Sequence, residues 1–406
     1  MKTDYLRLNR SQGRRRIRRL VRAVCLVAAV VVLWSVLPGV FIPGLVPALS
    51  PFVAVTAILA TRGFHVLTWL GLIVGLAVLV RRRLFCRWVC PAGVCMDGAG
   101  WLGHRLGRRT IRFPQIGSWI VLLTLGGACL GYPLFLWLDP LARFAGLFDP
   151  GVHGPGLGAA LSAAGFLAIL VFGLLWPSAW CGRVCPLGAF QDLLSILSES
   201  CRVLRRKRQR AVPQASAELP VPRRMLLGVV AGAVWAGAVR LLGRKRLSPL
   251  RPPGAVAEPA FSGVCTRCGN CVRACPSSVI KRDLGEGGWA ALLTPVLNFR
   301  KDYCREDCVR CTEVCPSGAL KRVPHVKKRI VRLGLARVDM DVCLLGDDRE
   351  CSVCKSRCPY DAVRYVFSEA DYTVTPQIDP KHCNGCGACE AACPTSPHKA
   401  IVVVPV

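Results

Sequence analysis

The sequence predicts an α-helical membrane bundle of about five spans followed by a small α+β domain. Three observations lead there. The 406 residues are 52% hydrophobic yet carry a net charge of +30. The arginines gather at the edges of long apolar runs, as in the basic loops of membrane proteins, whereas a nucleic-acid binder spreads basic residues over folded domains. Sixteen of the 24 cysteines follow residue 264, in four groups.

The N-terminal stretch 1–20 is basic, with Arg14, Arg15, Arg16, Arg18 and Arg19, and Arg22 follows. An apolar run from Val21 to Leu37 comes next. A cleaved signal peptide is the competing reading, and the further apolar runs behind it favour an uncleaved anchor. Spans two to four read as Phe64–Val80, Ile116–Leu138 and Leu157–Trp176, each close to the ~20 residues that hydrocarbon requires. The apolar stretch Pro51–Thr61 extends the second upstream. Trp69, Trp101, Trp119, Trp137, Trp176 and Trp180 lie near the run ends, as interfacial tryptophans do.

Charge asymmetry orients this bundle. The loop 81–112 holds Arg81, Arg82, Arg83, Arg87, Arg105, Arg108, Arg109 and Arg112, and 183–224 holds nine Lys and Arg; the loop 139–156 has only Arg143 and 38–63 only Arg62. The rule that basic loops stay inside therefore makes 21–200 a four-span domain with a cytoplasmic N-terminus and a basic cytoplasmic linker at 201–222. "RRMLLGVVAGAVWAG" at 223–237 then reads as a twin-arginine-like signal or weak fifth span, 223–242, that carries the chain outward. A cytoplasmic amphipathic or re-entrant segment is the alternative.

Two Cys-x3-Cys-Pro elements follow spans two and four: "CRWVCP" with Cys86 and Cys90, and "CGRVCP" with Cys181 and Cys185. On a helix, i and i+4 put both sulfurs on one face, and the proline marks a turn or helix start. The repeat suggests two similar helical hairpins. The four thiols are candidates for one metal centre or for dithiol redox chemistry, or they are conformational features of the hairpin ends. Cys25 and Cys129 read as packing residues; Cys95 and Cys201 belong to no motif.

The domain 255–406 carries the most specific signal. Its runs are Cys265, Cys268, Cys271, Cys275; Cys304, Cys308, Cys311, Cys315; Cys343, Cys351, Cys354, Cys358; and Cys383, Cys386, Cys389, Cys393, each ending in Cys-Pro. Runs one and four have the spacing C-x2-C-x2-C-x3-C-P of bacterial ferredoxins, and runs two and three lengthen only the first gap. A tight loop can wrap three thiolates around one 4Fe–4S cube while the fourth cysteine ligates the neighbouring cube. Pairing run one with two and three with four gives four clusters. The first takes Cys265, Cys268, Cys271 and Cys315; the second Cys304, Cys308, Cys311 and Cys275. The third takes Cys343, Cys351, Cys354 and Cys393; the fourth Cys383, Cys386, Cys389 and Cys358. The domain thus reads as a tandem bacterial-ferredoxin-like fold. Zinc and a disulfide framework are the competing uses of so many cysteines, and the repeated Cys-Pro ending argues against both.

No Gly-rich nucleotide loop and no nucleophile triad stands out. His65, Asp97, His104 and Asp139 lie near predicted span ends, where they could exchange protons with a quinol; each alone reads as an ordinary interfacial residue.

Residues 223–406 resemble the ferredoxin-type accessory proteins of nitrate reductase and methylamine oxidation, the NapG/MauM type. Arg223 and Arg224, "RPPGA" at 251–255, the seven-residue gap after Cys343 and "CPSGAL" from Cys315 carry that resemblance. Residues 15–200, with two Cys-x3-Cys-Pro motifs, resemble their membrane partner, the NapH/MauN type, without the two clusters that often follow its fourth span. The resemblance implies a fusion of two usually separate subunits in the bacterial inner membrane. It also implies a quinol dehydrogenase component that takes electrons from the quinol pool and passes them to a periplasmic redox partner. Maturation or regulation of a partner enzyme and a cytoplasm-facing polyferredoxin are the alternatives. In the predicted topology the Cys-x3-Cys-Pro thiols lie inside and the four runs outside, about 30 Å of hydrocarbon apart.

Overall fold

A computed structural model describes residues 2–34, 43–111, 113–149, 156–209, 223–243, 249–347, 349–369 and 372–406. Most of the predicted linker, from 210 to 222, and the basic Arg244–Arg246 stretch lie outside the described residues.

The N-terminal half is helical: α1 (Lys2–Trp34), α2 (Pro51–Thr61), α3 (Thr68–Val80), α4 (Leu84–Trp88), α5 (Pro91–Arg105), α6 (Ile116–Cys129), α7 (Pro140–Gly146), α8 (Leu157–Leu175), α9 (Pro186–Gln209) and α10 (Arg223–Gly243). One local device starts several of them. A side chain that can accept a hydrogen bond precedes a proline at the first helical position, where the missing N–H costs nothing. Ser50 accepts from the Val53 N–H before α2; Asp139 accepts from Leu141 and Ala142 before α7; the Cys90 sulfur accepts from Gly93 before α5.

The five-span bundle expected from the sequence does not form. Among the described residues one helix, α8, is long and apolar enough to cross a membrane. The other apolar runs are cut short. The predicted second span divides into α2 and α3, with Arg62 in the left-handed conformation ending the first. The third stops at Cys129, ahead of Gly131 and Pro133, so α6 has 14 residues. At 1.5 Å per residue that is about 21 Å, short of the ~30 Å hydrocarbon layer. The apolar part of α10, Met225–Leu241, is also in the shorter class. The first predicted span is the end of the largely basic 33-residue α1. Hydropathy registers runs of apolar residues and misses the turns that divide them.

Helix α10 packs along α6. Glycines permit the close crossing: a Cβ on Gly232 would stand 2.2 Å from the Leu123 carbonyl oxygen, and one on Gly126 would stand 2.0 Å from that of Val229. The glycine-rich run 223–237 is thus a packing surface.

The C-terminal half holds three two-stranded antiparallel sheets: β1 (Ile280–Arg282) with β2 (Pro295–Leu297), β3 (Leu335–Val338) with β6 (Ile401–Val404), and β4 (Val363–Ser368) with β5 (Thr373–Ile378). The β3–β6 pairing aligns Leu335 with Val404, closing runs three and four into one unit. One apolar core (Phe261, Ile280, Leu297, Phe299, Leu320, Ile401) contains cysteines of both units.

The halves dock tightly. The Arg282 Nε donates to Asp149 at 2.8 Å, with both side chains 4% exposed. Asn270 donates to the Pro43 carbonyl at 3.2 Å, and Arg273 to that of Leu33 at 3.2 Å. Cys268 of run one belongs to the same buried cluster as Cys90 and Cys185 of the helical half.

Candidate metal centres

The run-one thiols Cys265, Cys268 and Cys271 line one cavity together with Cys315, the last cysteine of run two. Each run turns a short helix between its cysteines, at Asn270–Ala274, Arg310–Glu313, Val353–Ser356 and Ala388–Ala392. Gly269 and Gly387 open two of these turns with φ +76° and +80°, a conformation glycine adopts without a Cβ penalty.

Mutual electrostatics show which other thiols are neighbours. Burial, then the charges of Cys304, Cys275 and Cys308, holds Cys311 well above the ordinary thiol value, while Lys328 opposes the shift. Burial, then Cys386, Cys383 and Cys358, acts likewise on Cys389. Cys354 is raised by burial and lies near Cys351 and Cys343; its sulfur is 3.7 Å from the Tyr365 hydroxyl, which donates to the Cys351 carbonyl at 3.1 Å. The Cys393 sulfur is 3.2 Å from the Thr395 hydroxyl and lies below the ordinary thiol value, with hydrogen bonds outweighing burial. Run two touches run four directly, the Cys304 N–H donating to the Cys386 carbonyl at 2.9 Å. In space the thiol groups therefore follow the order one, two, four, three.

Buried cations surround the first two groups. Arg143 donates to the Thr266 carbonyl at 3.1 Å. Burial, followed by the charges of Arg267 and Arg282, lowers its pKa to about 10, and the run-one thiols pull it back up. Arg273 is buried as well, and Arg143, Arg267, Arg273 and Arg282 each keep a buried nitrogen without a hydrogen-bond partner. Fully buried Lys328 donates to the Cys304 sulfur at 3.2 Å. A buried cation needs an anion beside it. Asp149 supplies one carboxylate to Arg282; metal-bound thiolates would supply the rest.

In the helical half, Cys86, Cys90, Cys181 and Cys185 line a second cavity, of about 420 Å³. The helix reading of Cys-x3-Cys-Pro needs correcting. Cys86 sits in α4 but Cys90 is extended, with ψ 113°, because a residue before proline is pushed out of the α region. Cys181 lies in a π-helical turn (Trp180–Val184), and Cys185 is likewise extended before α9. The convergence comes from two chain turns rather than one helix face.

Two family descriptions match the chain. "4Fe-4S binding domain" covers residues 62–112 and 159–210, the segments carrying the Cys-x3-Cys-Pro elements. "4Fe-4S dicluster domain" covers 264–319 and 349–396. The ferredoxin-type protein NapG of Escherichia coli K12 is 36% identical over 190 residues, 44% of this chain and 80% of NapG. The methylamine utilization ferredoxin-type protein MauM of Methylobacillus flagellatus is 32% identical over 193 residues, 45% of this chain and 80% of MauM. The chain belongs to the NapG/MauM family of ferredoxin-type proteins. The ferredoxin-type protein NapF of E. coli K12 is also similar, 32% identical over 154 residues, 38% of this chain and 85% of NapF. No solved structure matches. As a family member, this is an iron–sulfur electron-transfer protein that binds 4Fe–4S clusters.

The donors fit such a group. Cys265, Cys268 and Cys271 ring one cavity with Cys315, and Cys86, Cys90, Cys181 and Cys185 ring another. Cations face the sulfurs, as an anionic cluster requires. Of the remaining candidates, Cys25 and Cys95 are partly buried and Cys129 is exposed; the Cys201 side chain lies outside the described residues. Asp97 pairs with Arg22 at 2.6 Å. His65 is half-buried beside Gly318, and His104 lies exposed near the end of α5. Asp139 is fully buried and accepts from the Ser50 hydroxyl at 2.6 Å. Sequence reasoning missed the cations. Arg267 and Arg273 lie inside a cysteine run and could have been noticed there; nothing local marks Arg143 or Lys328.

Proposed function

We propose that this NapG/MauM-type chain holds four 4Fe–4S clusters on the sixteen cysteines of its C-terminal half and passes electrons between the quinol pool and an extracytoplasmic redox partner. The observation that carries the reading is the contiguous series of thiol groups, with buried cations at its start. Each cluster, when bound, supplies a reversible one-electron site whose potential depends on charge and hydrogen bonds around it. The chain's own residues supply these: Arg143, Arg267 and Arg273 beside run one, Lys328 on Cys304, and the Tyr365 hydroxyl beside Cys354.

The helical half would serve as the membrane-side partner, fused to the ferredoxin half. Outward-facing Trp69, Ile73, Leu76 and Val80 of α3, and Leu157, Leu167 and Val171 of α8, are exposed apolar residues suited to lipid. Purified, cluster-loaded protein in liposomes is the test. Bleaching of the iron–sulfur absorbance by a reduced quinone supports the quinol role. Bleaching by dithionite alone, with no response to any quinol, overturns it.

A further inference from the structure

A cavity of about 640 Å³ lies outside both thiol sites, between the start of α8 and the β1–β2 hairpin. Small-molecule sites occupy about 300–1,000 Å³. Its walls are mixed. Ala159, Leu250, Val296 and Leu297 are apolar, and Asp149 and Arg282 bring to it the buried pair that joins the halves. The Arg282 Nε donates to Asp149 Oδ2. The other two heads of that pair, Asp149 Oδ1 and Arg282 Nη2, are buried and have no hydrogen-bond partner. Both lie against Gly269 of the run-one loop, in the space that a Cβ there would take. An acceptor and a donor left open together in a buried place cost free energy until something meets them.

Two more features place the cavity. Val272 and Arg282 line it and also line the cavity of the run-one thiols, so one layer of side chains stands between the two. Helix α8 is the one described helix long and apolar enough to cross a membrane. Leu157 and Leu161 on its first turns, and Leu284 and Trp289 between β1 and β2, are exposed apolar side chains. Such residues beside the end of an apolar helix suit the lipid–water interface.

We propose that this cavity is where the quinol is oxidised, with Asp149 and Arg282 gripping one of its hydroxyl groups. The inference rests on the quinol reading above and gives it a place and two residues. The hydroxyl donates to Asp149 Oδ1, and its oxygen accepts from Arg282 Nη2. Oxidation breaks two O–H bonds: the quinol loses two electrons and two protons and becomes the quinone. Asp149 takes the protons one after the other. Exposed Glu286, which lines the same cavity, passes them to water. The electrons leave singly across Val272 to the oxidised iron–sulfur centre of run one, the oxidant in each step. Arg282 stabilises the oxygen as negative charge grows on it.

The test uses the full-length, cluster-loaded protein in liposomes, with a short-chain quinol and an azidoquinone photolabel. The label should attach within 156–161 and 281–298 and be displaced by unlabelled quinol. A Cβ on Gly156 meets nothing within 4 Å, so Gly156→Leu should fold with the iron content of wild type and fill part of the cavity. Quinone binding should then weaken by ~10-fold or more. Asp149→Asn should take up the label as wild type does yet slow quinol-driven bleaching by ~100-fold. If Asp149→Asn fails to fold, the photolabel and Gly156→Leu decide. Unchanged binding in Gly156→Leu overturns the site. So does labelling confined to other segments while quinol still bleaches the clusters, a result that leaves the quinol reading standing. No bleaching by any quinol, with iron content intact, removes that reading and this site with it.

Discussion

The Arg143 guanidinium donates to the main-chain carbonyl of Thr266 at 3.1 Å, tying the helix beside one set of thiols to the loop that carries another. Arg143 is 5% exposed. A buried charge in that place calls for anionic neighbours, which cluster-bound thiolates of run one would supply beside the Asp139 carboxyl.

Arg143→Met should therefore lower the reduction potential of the run-one centre, by on the order of tens of millivolts, because the oxidised, less negative-demanding state loses less when a cation is removed than the reduced state does. An EPR-monitored redox titration reads this. An unchanged potential would mean that Arg143 serves only to join the halves.

Asp149→Ala strands Arg282 in a buried interface. Breaking such a pair costs about 3–5 kcal/mol. Denaturant titration followed by loss of iron–sulfur absorbance should show the drop. Asp149→Ala combined with Arg282→Met should cost less than the sum of the single changes, since the second removes the charge the first exposed.

Asp139 gives a pH signature. Burial raises its pKa from 3.8 to about 6, against the opposing hydrogen bonds from Ser50, Ala142 and Leu141. A carboxyl whose folded value is raised contributes stability that is fully present below the unfolded value and is lost as pH rises through the folded one. Stability should thus decline between about pH 4 and 6 by an increment that Asp139→Asn abolishes, asparagine being able to cap α7 without a charge. Parallel stability curves for the two proteins across that range would refute the assignment.

Gly232→Leu should part α10 from α6, because even a Cβ there meets the Leu123 carbonyl oxygen at 2.2 Å. Limited proteolysis should then cut near α10 faster than in wild type while the iron content of the four runs stays constant. Equal cleavage rates would show that the contact contributes little.

The chemistry of the C-terminal runs was legible because it is local: in runs one and four, three cysteines within a few residues and a glycine that lets the loop turn, and in every run a proline that ends it. The prolines after Cys90 and Cys185 likewise announced a change of direction. The spans were misread because a window of apolar residues carries no record of where the helix stops, at Arg62 or ahead of Gly131. The docking of the halves, through Asp149 with Arg282 and Asn270 with Pro43, joins residues more than a hundred positions apart and leaves no local trace. The expectation of about 30 Å of hydrocarbon between the two cysteine systems likewise took no account of α7, whose Arg143 reaches the run-one loop, or of the buried cluster that Cys268 shares with Cys90 and Cys185.

The β3–β6 pairing has a temporal side. The first ferredoxin unit can close once the ribosome has passed Leu320, which bridges back to Ala255. The second stays open until Val404 has emerged to meet Leu335. Its thiols are thus the last to be shielded during synthesis, and for that interval oxidation competes with cofactor delivery at runs three and four more than at runs one and two.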